Sequence, residues 1–142
     1  MNQDRQTMNS RKHPQKGEEV GIAPTSQPYF SAAVRVDAGP LLFVTGMVGR
    51  DAKRNIVNPG DVRAQTRQAL TNLRNVLQAN DADLDDLASI TIYCVDFRHF
   101  EGIAEVRREF FQGNGPASCM IQVSGLAHPD LLLEISCIAV VG

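Results

Sequence analysis

Apolar residues follow two different spacings along this chain, and the changes between them mark its predicted elements. A spacing of two residues, as over 33–37, is typical of half-buried strands. A spacing of three or four residues, as after Asp61, is typical of an amphipathic helix. The pattern predicts two helices with Asp61 and Asp96 as N-caps. It also predicts five strands, over residues 33–37, 41–48, 88–95, 118–124 and 131–140.

The order of these elements, β-β-α-β-α-β-β, predicts an α+β fold with a single mixed β-sheet and two helices on one face. Because only Ala38-Gly39-Pro40 separates the first two strands, we expect them to pair as a hairpin. The second helix carries an apolar stripe that we expect to pack in the core. Its members are Phe97, Phe100, Ile103, Ala104, Phe110 and Phe111.

Several predicted strands carry apolar residues on both alternating faces, as Phe43 and Val44 do in the second strand. Two helices can cover only one face of the sheet. A large apolar surface left on the other face usually marks an interface. We therefore expect a closed homo-oligomer in which the sheets pack against one another.

Length and charge narrow the class of protein. With 142 residues the chain fits one domain, expected over 24–142 after a polar, mobile tail at 1–23. A net charge of −2 gives no basic stripe for nucleic acid, and no apolar segment reaches the ~18 residues of a membrane span. The three cysteines lack CxxC spacing, which predicts reduced, packed thiols and a cytoplasmic location.

Glu134 is the residue that fits its surroundings least. It interrupts the apolar, β-prone run over 131–141. A carboxylate in such a strand must be paired, hydrogen-bonded, protonated or placed at an opening, because bare burial costs several kcal/mol or more. A structural ion pair and a binding site both remain open at this point.

Four segments of the chain form a recognisable combination: residues 27–33 (QPYFSAA), 42–46 (LFVTG), 61–77 and 116–140. Together they resemble the Rid family, also described as YjgF-like or L-PSP endoribonuclease-like. The resemblance implies a homotrimer with a chorismate-mutase-like barrel and small-molecule clefts between subunits. It also implies hydrolysis of reactive imines and enamines, with no cofactor.

The resemblance also assigns roles to individual residues. Glu134 matches an acid that positions water or the ligand nitrogen, while Tyr29 and Thr45 match residues that shape the cleft. We further expect ligand contacts from Gly46 and Arg107, and main-chain amides near Cys119 and Met120 that would hold an oxyanion in a hydrolase. The Cys119 side chain itself alternates with Ile121 and Val123, which predicts a packed thiol.

One position departs from the deaminating branch of the family. There Pro-Ala is followed by an arginine that binds the substrate carboxylate, whereas Pro116-Ala117 is followed by Ser118. A serine hydroxyl offers one neutral hydrogen bond in place of a charged, bidentate fork. Arg107 or Arg50 could replace that cation, although a surface position is the commoner fate of an arginine.

Three functions therefore remain open at the level of sequence. The first is a hydrolase acting on an imine, an enamine or a related C–N bond, but not a standard 2-imino-acid deaminase. The second is a non-catalytic trimer that binds a metabolite. The third, a ribonuclease or translation inhibitor, has only the family's older names behind it. His99 and His128 lack metal-ligand spacing, so no metal site is expected.

Overall fold

The computed structural model describes residues 11–142 of the chain. Two helices, α1 and α2, alternate with strands in the expected order, and short 3₁₀ turns occupy Gly17–Val20, Leu84–Asp86 and Phe97–His99. The elements are β1 (Lys12–Gln15), β2 (Ala33–Val36), β3 (Leu41–Met47), α1 (Val62–Ala79), β4 (Leu87–Cys94), α2 (Phe100–Phe110), β5 (Ala117–Gln122) and β6 (Leu133–Val140).

The main sheet has four strands in the order β3-β6-β4-β5. Strands β4 and β5 are parallel and are connected through α2, whereas β6 is antiparallel to both of its neighbours. The predicted mixed α+β architecture is therefore confirmed. The expected single sheet is not, because β1 and β2 form a separate antiparallel ribbon.

The predicted hairpin between the first two sequence-derived strands is wrong. β2 pairs with β1, and β3 pairs with β6, with Leu41 opposite Val140. The short turn at 38–40 indicated local pairing, but the partner of each strand is set by tertiary contacts that a turn sequence does not contain.

Strand β1 lies inside the segment that was expected to be a tail. Lys12 is only 5% exposed. Its Nζ donates hydrogen bonds to the main-chain oxygens of Asp85 at 2.8 Å and Asn114 at 3.0 Å. The folded part of the chain therefore begins well before the expected boundary at residue 24. Residues 1–10 of the predicted tail lie outside the described residues.

The start of α2 also differs from the sequence pattern. Asp96 caps the 3₁₀ turn Phe97–His99, accepting a hydrogen bond from the Arg98 amide, and α2 follows that turn. The changed periodicity leaves Phe97 and Phe100 about half exposed, at 50% and 47%. The remainder of the stripe is buried or packs against the core, so the core prediction fails at these two residues alone.

The two faces of the main sheet differ as the sequence indicated. The face under the helices is closed by Ile90, Ile92, Leu133 and Ile135, each at most 2% exposed. We call the opposite face of the main sheet the open face. Phe43 of β3, Tyr93 of β4 and Ile121 of β5 lie on it, together with the residues that are in register with them.

Large apolar side chains on the open face are exposed, with Leu41 at 53%, Phe43 at 71% and Ile121 at 42%. Cys119 shares this face through its register with Thr91, and it is an exposed thiol. The expectation of a packed Cys119 is therefore wrong, because its side of β5 has no covering layer within residues 11–142. Cys94 and Cys137 are buried as predicted.

Candidate functional site

A β-bulge in β3 places two of the predicted site residues side by side. Val44 is opposite Cys137 and Met47 is opposite Ile135, so that both residues between them in β3 face a single residue of β6. Those two residues are Thr45 and Gly46. A bulge bends its strand and redirects side chains, and bulges are frequent beside binding sites.

Glu134 lies directly against this bulge. A Cβ atom added to Gly46 would be 2.7 Å from Glu134 Cδ and 2.9 Å from its Oε2, far inside van der Waals contact. The Glu134 carboxylate can occupy this position only because residue 46 has no side chain. Tyr93 of β4 is the register partner of Glu134, so both side chains belong to the open face.

The carboxylate of Glu134 has no protein partner there. The side chain is half-buried, and no residue of the chain donates a hydrogen bond to it or forms an ion pair with it. The structural ion pair considered from sequence is therefore excluded for residues 11–142. Of the explanations that the sequence left open, placement at an opening fits the geometry.

A second group of predicted residues gathers at the edge of the sheet. The chain at Tyr29 runs beside the start of β5: the amide of Ser31 donates to the carbonyl of Pro116 at 3.0 Å. Its hydroxyl donates to the carbonyl of Gly115 at 2.6 Å. Gly115 has no room for a side chain, since an added Cβ would lie 2.3 Å from the carbonyl carbon of Tyr29. This close approach fixes Tyr29 next to Ser118.

Arg107 of α2 joins these two residues. Its Nη2 donates to Ser118 Oγ at 2.9 Å and to the main-chain oxygen of Tyr29 at 3.2 Å. Its guanidinium carbon lies 4.3 Å from the centre of the Tyr29 ring, within cation–π distance. Arg107 is 3% exposed, so the sequence-based expectation of a surface arginine is wrong.

The charge of Arg107 is buried without an acidic partner. Burial lowers the pKa of the guanidinium to about 10, which still leaves it cationic at neutral pH. Its Nε has no hydrogen-bond partner. Arg50, the other candidate cation, donates from Nη1 to the main-chain oxygen of Arg54 at 2.7 Å within its own loop.

The two groups do not meet within one chain. Ser118 and Met120 are in register with Ile90 and Ile92 on the helix side, where Met120 packs against the core, whereas Glu134 belongs to the open face. At about 3.3 Å per residue and about 4.8 Å between strands, the Cα atoms of Ser118 and Glu134 are roughly 14 Å apart. Within one chain, the two groups therefore do not form a single cleft.

Sequence reasoning missed two neighbours of these groups. Tyr93 flanks Glu134, and its alternation with the buried Ile92 was the available signal. Arg108 lies 5.9 Å from the centre of the Tyr29 ring and donates from Nε to Gln27 Oε1 at 2.9 Å. Nothing in the sequence pattern shows that contact, because the two residues are distant in the chain.

Two further properties hold for the part of the chain that the structure describes. No three of its histidine, cysteine and acidic side chains are grouped so that they could hold a metal ion. Neither helix combines the length and the apolar character that crossing a membrane requires.

Comparison with known proteins identifies the family. The model of the family described as Endoribonuclease L-PSP matches residues 21–141. The chain belongs to this family. The resemblance to the Rid family that the sequence showed is thereby confirmed.

Similar proteins support the assignment over most of the chain. A RutC family protein of Pyrococcus horikoshii is 37% identical over 112 residues, covering 79% of this chain and 86% of that protein. The structure of YyfB from Yersinia pestis, a Rid family protein of unknown function, gives a TM-score of 0.84 at 29% identity, covering 92% and 98% of the two chains.

A third similarity is to Rv2704 of Mycobacterium tuberculosis, described as a member of the YjgF/YER057c/UK114 family. It gives a TM-score of 0.64 at 30% identity and covers 92% of this chain and 99% of that one. Each of these two structural matches covers 92% of this chain. The Rid fold of this chain is established on these grounds.

Proposed function

We propose that this Rid family protein is a hydrolase of the deaminase type, acting on an imine, an enamine or a related C–N bond. The observation that supports it most is the carboxylate of Glu134. It lies in van der Waals contact with Gly46 at a β-bulge, on the open face, with no hydrogen-bond donor from the chain. An unpartnered carboxylate at an opening is suited to orient a water molecule and to accept its proton.

The proposed reaction adds one water molecule across the C=N bond. As the water oxygen forms its bond to carbon, the Glu134 carboxylate accepts a water proton and later returns it to the nitrogen. The hydroxyl proton of the resulting carbinolamine is then carried to the same nitrogen by Glu134 as the C–N bond breaks, which releases ammonia and leaves a carbonyl product. Tyr29 and Thr45 shape the cleft, and main-chain amides near Cys119 and Met120 stabilise negative charge as it develops.

The cleft is proposed to form between the subunits of a homotrimer with a chorismate-mutase-like barrel. Two observations support this assembly. The first is that Glu134 and the Tyr29–Ser118 group lie on different sides of the sheet, so that each chain holds two incomplete halves. The second is the exposure of Leu41, Phe43 and Ile121 on the open face, which a monomer would leave in water.

The substrate differs from that of a standard 2-imino-acid deaminase, because Ser118 stands where that branch has its arginine. The protein is further proposed to be cytoplasmic. In support, Cys94, Cys119 and Cys137 are free thiols.

Ammonia release tests the proposal directly. The protein is incubated with enzymatically generated 2-iminobutyrate or 2-aminoacrylate and with imines of other shapes, alongside a competent family member. We expect acceleration over buffer for at least one imine and its loss in Glu134→Gln. Glu105→Gln is the matched control, since Glu105 is an exposed acid paired with Arg63. No acceleration for any imine, while the competent member is active, would refute the proposal.

A non-catalytic metabolite-binding trimer is the second candidate, and the presence of Ser118 instead of arginine favours it. Turnover that disappears in Glu134→Gln would exclude it. Ribonuclease activity has no comparable support, since a net charge of −2 provides no phosphate-contacting stripe.

A further inference from the structure

Two side-chain amides of α1 bind main-chain groups that lie just outside the ends of β3 and β6. The first belongs to Gln65, which is fully buried. Its Oε1 accepts a hydrogen bond from the amide of Leu132, and its Nε2 donates one to the carbonyl of Asp130, each at 2.9 Å. Leu132 precedes Glu134 by two residues. The whole Gln65 amide is therefore used on the segment that enters β6 at the proposed catalytic carboxylate.

The second amide, that of Asn72, holds the segment that leaves β3. Its Nδ2 donates hydrogen bonds to the carbonyl oxygens of Val48 at 3.1 Å and Arg50 at 2.8 Å. Its Oδ1 accepts a hydrogen bond from Gln68 Nε2 at 2.8 Å, which fixes the amide so that its two N–H groups face the main chain. Gly46 precedes Val48 by two residues. The segment held by Asn72 is therefore the continuation of the bulge.

Gln65 also supports the segment that leaves β3. A Cβ atom added to Gly49 would lie 2.8 Å from Gln65 Cβ and 2.9 Å from its Cα, so the main chain at Gly49 rests directly on α1. The helix is anchored in the core, because its residues Leu70, Leu73 and Leu77 are fully buried. One rigid element thus holds both segments, which is the arrangement that a precisely positioned site requires.

Hydrogen bonds of the sheet do not hold these two segments together. The register between β3 and β6 shifts at the bulge, and the pair of Met47 with Ile135 is the last one beyond it. Past this pair, the described residues form no further ladder between the two strands. Main-chain groups that leave a ladder in a partly buried place need other partners, and α1 provides such partners on both strands. The spacing of the strands beyond the bulge therefore depends on Gln65 and Asn72.

We propose that Gln65 and Asn72 are positioning residues for the Glu134 carboxylate. They fix the two segments whose spacing sets the contact of Glu134 with Gly46. That contact has no slack, since a Cβ atom at position 46 would already lie 2.7 Å from Glu134 Cδ. This inference rests on the proposed function, in which Glu134 acts on water, and it adds the residues that keep the carboxylate in place for that step.

The same helix provides a matched control. Asn75 lies three residues after Asn72, is exposed, and has no hydrogen-bond partner for its side chain among residues 11–142. Asn72→Asp and Asn75→Asp make the same chemical change and add the same charge to α1. Only the first removes donors from the carbonyl oxygens of Val48 and Arg50, because an ionised aspartate keeps the size of asparagine and accepts hydrogen bonds only.

Steady-state ammonia release from 2-iminobutyrate, 2-aminoacrylate and imines of other shapes provides the first readout. We expect kcat of Asn72→Asp to fall at least about tenfold and KM to change by less than about twofold, because a displaced carboxylate slows water addition without altering ligand binding. In the Glu134→Gln background, the same change should lower the residual kcat by less than about twofold, since no carboxylate remains to be positioned. Asn75→Asp should match the wild type. An equal loss in both backgrounds would show a merely structural role and overturn the inference.

Crystal structures of the full-length wild type and of Asn72→Asp provide a second readout, which needs no activity. We expect the distance from Gly46 Cα to Glu134 Cδ to differ between them by at least about 0.5 Å, the tolerance within which productive sites are held. Gln65→Met should displace Glu134 by a similar amount, and Asn75→Asp should not. An unchanged distance in Asn72→Asp would overturn the inference.

The wild type alone decides the question if these variants fail to fold. The Leu132 amide lies outside β6, but Gln65 holds it, so it should exchange with deuterium at most about tenfold faster than the amides of β6. Exchange at the rate of an open loop would overturn the inference.

The two readouts also separate this inference from the proposed function. A displaced Glu134 in crystals of Asn72→Asp, with no turnover of any imine by the wild type, would uphold the positioning of the carboxylate by α1 and refute the hydrolase. Turnover by the wild type, with the same kcat in folded Asn72→Asp, would uphold the hydrolase and refute the positioning role.

Discussion

Gly46 and Glu134 pack so closely that a Cβ atom at position 46 would lie 2.7 Å from Glu134 Cδ. The glycine of the bulge is thus the reason that a carboxylate can lie on β3 at this point. The relationship also shows why Glu134, which interrupts an apolar run in the sequence, is tolerated in β6. Its carboxylate is directed toward the open face at a bulge, where the core is not in contact with it.

Gly46→Ala should therefore separate activity from stability. The new methyl group displaces the far end of the flexible Glu134 side chain, so we expect the free energy of unfolding to change by less than about 1 kcal/mol. Catalytic turnover should fall at least about tenfold, because a carboxylate moved by about 1 Å no longer orients water. Urea unfolding and ammonia release measure the two effects.

Gly125→Ala is the control for that substitution, because no atom lies within 4 Å of a Cβ at this position. It should leave both unfolding and turnover nearly unchanged. Wild-type turnover in Gly46→Ala would show that the position of Glu134 against β3 has no catalytic role.

Lys12 should make stability depend on pH in the alkaline range. Burial lowers the pKa of Lys12 to about 8 from its ordinary value of 10.5, against the attraction of Asp85 and Asp86. The folded state therefore binds fewer protons than the unfolded state between these two values. Stability from this group rises with pH across that window, and the full penalty is present below pH 8.

Comparison with Lys12→Met isolates this contribution from that of other titrating groups. Between pH 7.5 and 10, the free energy of unfolding of the wild type should gain about 1–3 kcal/mol relative to the variant. Lys53→Met, at an exposed position, should show no such trend. If the difference in the free energy of unfolding between wild type and Lys12→Met does not change with pH, Lys12 is not buried as a charged group.

Phe43 should be essential to the proposed trimer. Its side chain is 71% exposed on the open face, in register with Ile138 of β6. A carboxylate placed there would be buried unpaired between sheets, so Phe43→Glu should dissociate the assembly into monomers. Analytical ultracentrifugation measures this, with Ile22→Glu, at a position that is 61% exposed and outside every strand, expected to remain trimeric. A monomeric wild type at micromolar concentration would contradict the prediction.

The sequence predicted the helices and the main-sheet strands because apolar spacing reports local structure directly. It could not predict which strands pair: β2 and β3 are separated by a turn, yet they belong to different sheets. It also missed β1, whose residues Lys12–Gln15 carry no apolar alternation. That strand is held by pairing with β2 and by the hydrogen bonds of Lys12, both of which are contacts between distant parts of the chain.

For the candidate site, the sequence indicated Glu134, because a charged residue in an apolar strand can be recognised from the sequence alone. The burial of Arg107 is not visible in that way. It follows from the approach of the Tyr29 segment to β5 over Gly115, which covers a helical position that would otherwise be at the surface. The same approach brings the guanidinium of Arg107 to Ser118. At that position the sequence showed only that the arginine of the deaminating branch is absent.

The central claim is that Glu134 of one subunit and Arg107 of another complete the same cleft. Co-expression of Glu134→Gln with Arg107→Gln, followed by isolation of the mixed trimers, tests it most directly. Each variant alone should be nearly inactive at low substrate concentration. Each isolated mixed trimer should contain one wild-type cleft in three and recover about one third of the wild-type turnover, because each cleft draws its two residues from neighbouring subunits. Mixed trimers with no more activity than the separate variants would contradict the claim.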